Sequence, residues 1–143
     1  MILLDTNVLS ELTRARPAPQ VVAWLEENEP RLALPAITLA ELRYGIARLD
    51  EGRRKSSLTR FWNMTRERFV GRIYSFDDRA AEAYGDMVAA AERAGTPINV
   101  ADGLIAAIAL VHGMSIATRD VSDFHAAGPP VVNPWDFTAP LRS

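Results

Sequence analysis

The chain has 143 residues, 16 Lys and Arg against 18 Asp and Glu for a net charge of −2, and 48% apolar and 24% charged residues. That balance suits one folded domain over residues 1–143 with a sizeable core, and it excludes a disordered chain. The absence of cysteine excludes disulfides, a thiol nucleophile and a thiolate metal site, so any metal must sit on oxygen or imidazole.

Taken in chain order, Ile2 to Leu4 is a short apolar run ending at Asp5, and Val8, Leu9 and Leu12 then recur at helical spacing between Thr6 and Arg14. The pattern predicts a strand followed by a helix. After Pro17 and Pro19, Val21 to Glu29 reads as a second short helix and Leu32 to Leu34 as a buried strand. Helix is expected again from Thr38 to about Leu49, with Leu39, Leu42, Ile46 and Leu49 on one side. A longer amphipathic helix carrying Leu58, Phe61, Trp62, Met64 and Phe69 follows, so the two form a hairpin of helices. Ile73, Tyr74 and Phe76 suggest another strand, and alanine-rich Asp77 to Ala94 a helix that Gly95 and Pro97 stop. Asn99 suits the N-cap of a buried helix from Val100 to His112, which Gly113 ends. Ser115 to Thr118 and Val131–Val132 are the remaining strands. Short apolar strands alternating with helices imply the α/β class, a parallel sheet covered on both faces.

No apolar run approaches the roughly 20 residues that a membrane span needs, and the start MILLDTNVLSEL lacks a basic signal-peptide region. A cytoplasmic location with no membrane contact is expected. Residues 42–72 hold nine basic residues against Asp50, Glu51 and Glu67, about +6, which leaves −8 for the rest. Such a segment is either a surface for a phosphate-bearing ligand or a solvated helix face.

In open parallel sheets, sites form beyond the carboxyl ends of the strands. Asp5 stands at one such end, and Asp120 and Asp123 follow the strand that ends near Thr118, which gathers three acids on one edge. Glu41 and Asp102 lie three residues after Thr38 and Asn99, near helix starts facing the same edge. Each alone reads as part of a capping box or a likeness of one. Taken together with the other acids, they read as a site instead. Gathered carboxylates repel and raise one another's pKa, a cost that a divalent cation removes. Oxygen ligands select a hard ion, magnesium with manganese as a substitute, able to activate water and stabilise charge on a phosphodiester. His112 and His125 read as packing or surface residues. Phe61, Trp62 and Phe69 read as core or interface.

Four segments resemble the PIN-domain nucleases, specifically the VapC and FitB toxin branch, and the resemblance runs essentially end to end. They are Leu3-Leu4-Asp5-Thr6-Asn7-Val8-Leu9, Thr38-Leu39-Ala40-Glu41-Leu42-Arg43-Tyr44-Gly45, Asn99-Val100-Ala101-Asp102-Gly103-Leu104-Ile105-Ala106-Ala107 and Ile116-Ala117-Thr118-Arg119-Asp120-Val121-Ser122-Asp123-Phe124. The closing Asn133-Pro134-Trp135 is in keeping with that branch. The resemblance implies a PIN-like α/β/α sandwich and a magnesium-dependent endoribonuclease, the toxin of a type II toxin–antitoxin pair, that uses metal-activated water and leaves a 5′-phosphate. Asp5 and Asp102 would hold the ion, Glu41 and the last acid complete the pocket, and Thr6 and Thr118 support it through hydroxyl contacts.

That branch more often has asparagine at the position of Asp120, which makes Asp123 the fourth acid. Asp120 then adds a ligand, alters the pocket charge or caps the next turn. The resemblance further implies a homodimer, a cognate antitoxin whose tail covers the acids, and operator DNA bound only through that antitoxin. The amphipathic helices of residues 38–72 are the expected surface for antitoxin and dimer.

Two other readings compete. Phosphotransfer on an aspartate wants a D-x-D-x-T motif or a placed lysine, whereas Asp5 precedes Thr6-Asn7 and the sole lysine is Lys55. A PIN-like binding module acting through its antitoxin in DNA-bound repression, with little nuclease activity, is the alternative; the complete acid set argues against it.

Overall fold

The computed structural model describes residues 1–140. Five parallel strands form the sheet: β1 (Ile2–Leu4), β2 (Leu32–Pro35), β3 (Ile73–Tyr74), β4 (Ser115–Ala117) and β5 (Val131–Val132), in the order β3-β2-β1-β4-β5. The helices are α1 (Thr6–Glu11), α2 (Pro19–Asn28), α3 (Ala36–Ala47), α4 (Arg53–Arg68), α5 (Asp78–Arg93) and α6 (Val100–His112).

Successive strand side chains point to opposite faces, and the apolar residues on both faces explain why each strand is a short continuous hydrophobic run. Leu3, Ala33 and Ile116 pack with Ile105, Ala106, Ile108 and Met87 of α5 and α6. Their neighbours Leu4, Leu32, Leu34 and Ala117 pack on the other side with Val8, Trp24, Leu42 and Ile46 of the first helices. Helices therefore cover both faces, making the α/β/α sandwich.

Most boundaries shift by a residue or two from the sequence reading, and three of the differences matter. The first helix ends at Glu11 rather than Arg14, and Phe76 lies outside β3, edge-on to Tyr84. The third helix begins at Ala36, with Pro35 at its N-cap and no side-chain cap. Thr38 is therefore no cap and forms no capping box with Glu41. Its buried hydroxyl donates instead to the Leu4 carbonyl, 2.8 Å away, pinning the start of α3 to the end of β1.

The α5–α6 pair is packed closely at one point. A Cβ on Gly103 would stand 2.8 Å from Cε2 of Tyr84, so glycine is what lets the start of α6 lie against α5. That contact sets the position of the adjacent Asp102.

Candidate active site

Chain direction puts the ends of β1 and β4 side by side. Leu4 pairs with Ala117, and the Asp5 amide donates to the Ala117 carbonyl at 2.9 Å, so Asp5 and Thr118 leave the sheet together. The Asp5 carboxylate is buried, 7% exposed. One oxygen accepts from the Thr6 amide (2.8 Å) and the other from the Thr118 hydroxyl (2.8 Å). Thr6, with its backbone held in the first turn of α1, donates its hydroxyl to Oε1 of Glu41 at 2.9 Å.

Asp102 stands on α6, which starts where Asn99 caps it. The Asn99 side-chain oxygen accepts from the Asp102 amide (2.9 Å), while its NH2 donates to the Asp102 carboxylate (2.6 Å). This is the Asn99-Asp102 cap that the spacing suggested, and it also fixes the carboxylate. Structural and chemical readings of this pair are thus compatible.

The two later acids divide between the two aspartates. Asp120 is one of the charges acting on Asp5, and its Oδ2 accepts from the NH2 of Asn7 at 3.1 Å. It makes no side-chain cap to the 3-10 turn at Val121–Phe124, which removes that one of its three suggested roles. Asp123, inside that turn, acts on Asp102 and lines a cavity with it.

Sequence reasoning gave Asn7 no role. Its NH2 group reaches the Thr118 hydroxyl (3.3 Å) as well as Asp120, and its oxygen accepts from the Arg119 amide (3.3 Å). The side chain therefore straps α1 to the segment after β4. Its place between Thr6 and Val8 in the first motif was the signal available.

Electrostatics follow from this crowding. Burial is the largest influence on Asp5 and raises its pKa, with Glu41 and Asp120 adding to the rise and the Thr118 and Thr6 hydrogen bonds opposing it. Asp102 is pushed up to about 6, first by burial, then by the charges of Asp5, Asp123 and Glu41 against the bond from Asn99. Five carboxylates thus gather at a single sheet edge, where the neighbours' charges raise Asp5 and Asp102.

A PIN-domain family model matches residues 2–128. The chain belongs to the PIN-domain family. Within it the chain falls in the VapC/FitB-like toxin branch. It is 44% identical over 138 residues to the VapC ribonuclease Y4jK of Sinorhizobium fredii, covering 95% of this chain and 99% of that protein. To the toxin FitB of Neisseria gonorrhoeae it is 45% identical over 137 residues, covering 94% and 99%. A solved structure of FitAB bound to an IR36 DNA fragment superposes with a TM-score of 0.91 at 44% identity, covering 97% of this chain and 99% of that one.

The donor set of this PIN domain suits a hard cation, because it offers carboxylate oxygens, and the charges that raise Asp5 and Asp102 are all negative. Among the described residues no three His, Cys, Asp or Glu side chains are grouped as ligands of one ion. Direct ligation through one or two carboxylates, with water completing the shell, is magnesium's habit.

The remaining candidates lie elsewhere or serve packing. His112 meets the Tyr74 ring edge-on at 4.8 Å between centroids. Phe69 is buried, and Phe61 and Trp62 pack partly buried against the core. Much of the basic segment is engaged internally: Arg68 pairs with Glu29, Arg72 donates to the Glu29 and Leu32 carbonyls, Arg54 to that of Thr13, and Lys55 pairs with Glu51. Arg43 and Arg66 stack on Trp62. In the closing motif, Trp135 lies under Arg119, next to the site. His125 alone of the two histidines reaches the acids' surroundings, lining the cavity with Asp102 and Asp123. Among the described residues no helix is long and apolar enough to cross a membrane.

Proposed function

We propose that this PIN domain is a magnesium-dependent endoribonuclease, with manganese as a substitute ion, and the toxin of a toxin–antitoxin pair. One observation carries the reading: Asp5 and Asp102 are brought together at the sheet edge with Glu41, Asp120 and Asp123, and both have their pKa raised by burial and by neighbouring carboxylates. A cation relieves that cost, and an RNA phosphate can share it. The relatives named VapC ribonuclease and toxin FitB support both the reaction class and the biological role.

Asp5 and Asp102 would hold the ion, which when bound neutralises phosphodiester charge and assists ionisation of water. The other residues hold this arrangement in place. Thr118 and Thr6 keep Asp5 oriented, Asn99 keeps Asp102, and Asn7 keeps Asp120 and the segment beyond β4. Thr6 occupies one oxygen of Glu41, leaving the other to accept the proton of the attacking water. The water oxygen bonds to phosphorus as the bond to the 3′-oxygen breaks, and the product keeps a 5′-phosphate.

The partners belong to the same proposal. FitAB bound to DNA supports a cognate antitoxin, and operator DNA reached only through it. Exposed Tyr44 and Met64 on the α3–α4 hairpin suit the antitoxin or the second subunit of a homodimer. Incubating antitoxin-free protein with total RNA across magnesium concentrations, beside Asp5→Asn and an EDTA control, tests the reading. Cleavage that needs both metal and Asp5 is expected. Intact RNA in every lane, with metal binding verified, would shift the function to a binding module.

A further inference from the structure

Beside the acids, between the α5–α6 connection and the 3-10 turn after β4, lies a cavity of about 550 Å³. Clefts of about 300–1,000 Å³ admit drug-sized ligands, so a base with its sugar fits this one. Asp102 and Asp123 form one border. We propose that this cavity seats one unpaired base of a single-stranded RNA, belonging to a nucleotide next to the phosphate at the acidic site.

The lining chooses the ligand. It contains no lysine or arginine and two carboxylates, so an anionic group inside would be repelled, whereas an uncharged base is not. Pro97, Ile98 and Ala126 supply apolar wall, and the His125 ring supplies a stacking face. Ser122 brings a hydroxyl to the same lining, suited to the edge of a base, and the Thr96 hydroxyl, whose proton goes to Ala91, can accept from one. Unpaired RNA bases are commonly recognised in this way, by stacking on flat side chains and hydrogen bonds at their edges.

Both walls are built in advance. At the end of α5, Gly95 takes φ 78°, and the next residue, Thr96, gives its amide and its hydroxyl to the Ala91 carbonyl at 2.9 and 3.3 Å. This Schellman-type closure fixes the path into Pro97. Opposite, Phe124 is 1% exposed and anchors the turn that carries Ser122, Asp123 and His125. Because Asp102 belongs to both the cavity and the acidic group, a bound base and its neighbouring phosphate occupy adjoining places.

The proposal rests on the ribonuclease reading and is tested separately from it. Oligoribonucleotides made abasic at each position flanking the cut are compared with the intact strand, using wild type, Ala126→Trp and His125→Ala. Ala126 is exposed, so the tryptophan fills the cavity from its rim. With wild type, one abasic position is expected to raise KM about 5- to 160-fold, the range of base-stacking contributions. The same abasic change should cost Ala126→Trp nothing further, and His125→Ala an intermediate amount. Insensitivity to every abasic position, or an equal penalty in wild type and Ala126→Trp, would overturn the base seat. If wild type cuts no RNA with either metal, the ribonuclease reading fails on its own account. The same oligonucleotides titrated by fluorescence anisotropy then decide the cavity, and equal Kd for intact and abasic strands would refute it.

Discussion

Thr118 is wholly buried, and its hydroxyl is the side-chain donor that lowers the pKa of Asp5. Thr118→Val keeps the shape and removes the donor, leaving a buried carboxylate oxygen with only the long 3.5 Å contact from Asn7. Urea unfolding should show a loss of about 1–3 kcal/mol, and Thr118→Ser should recover most of it. Asp102 permits a pH test. Its pKa in the folded chain is about 6, above its ordinary 3.8, so the folded state binds the proton more tightly and loses stability as pH rises from about 4 to about 6. In metal-free protein, Asp102→Asn is therefore expected to raise Tm at pH 7.5 and leave it unchanged at pH 4. An equal change at both pH values would contradict this. The acids themselves were legible in the sequence because carboxylates after strands and near helix starts announce a shared edge. Asn7 was not, since its role depends on Thr118 and Asp120, more than a hundred positions away.

Among the elements, α6 was the most readable: Asn99 begins it with a side-chain cap and Gly113 ends it in the left-handed region, both local signals. The start of α3 was misread because Thr38-x-x-Glu41 has the local form of a capping box while the tertiary bond from Thr38 to Leu4 takes the hydroxyl. The outermost strands β3 and β5 are two residues long, too short for alternation to fix their bounds, which is why Phe76 was included wrongly. Gly103 shows how element packing reaches the site. Gly103→Ala should cost about 1–3 kcal/mol through the Tyr84 contact and displace Asp102, lowering metal affinity as well. Adding Tyr84→Ala should remove the penalty specific to the alanine; thermal melts of the four proteins in the cycle would show coupling, and simple additivity would count against the contact.

Over the whole molecule, charge is segregated: residues 42–72 carry about +6 and the rest about −8. Sequence alone left open whether the basic segment serves a ligand or the fold. The contacts of Arg54, Arg68 and Arg72 give much of it to the fold, tying this segment to Thr13, Glu29 and Leu32. Those contacts bridge distant parts of the chain and were invisible to periodicity. On the acidic side, an ion binding the folded state alone raises stability by mass action, about 2.7 kcal/mol at a hundred times its Kd. Magnesium should accordingly raise Tm in wild type and have little effect on an Asp5→Asn, Asp102→Asn double variant, as followed by scanning calorimetry.

The two-residue outer strands have a bearing on association. A long bare sheet margin is a template on which other chains can add strands, and here each margin offers only two residues of backbone. Association of copies, or with a partner, therefore gains little from strand addition and rests on side-chain surfaces, so complexes can be dissolved or rebuilt by altering side chains with little risk of the sheet propagating from one molecule to the next.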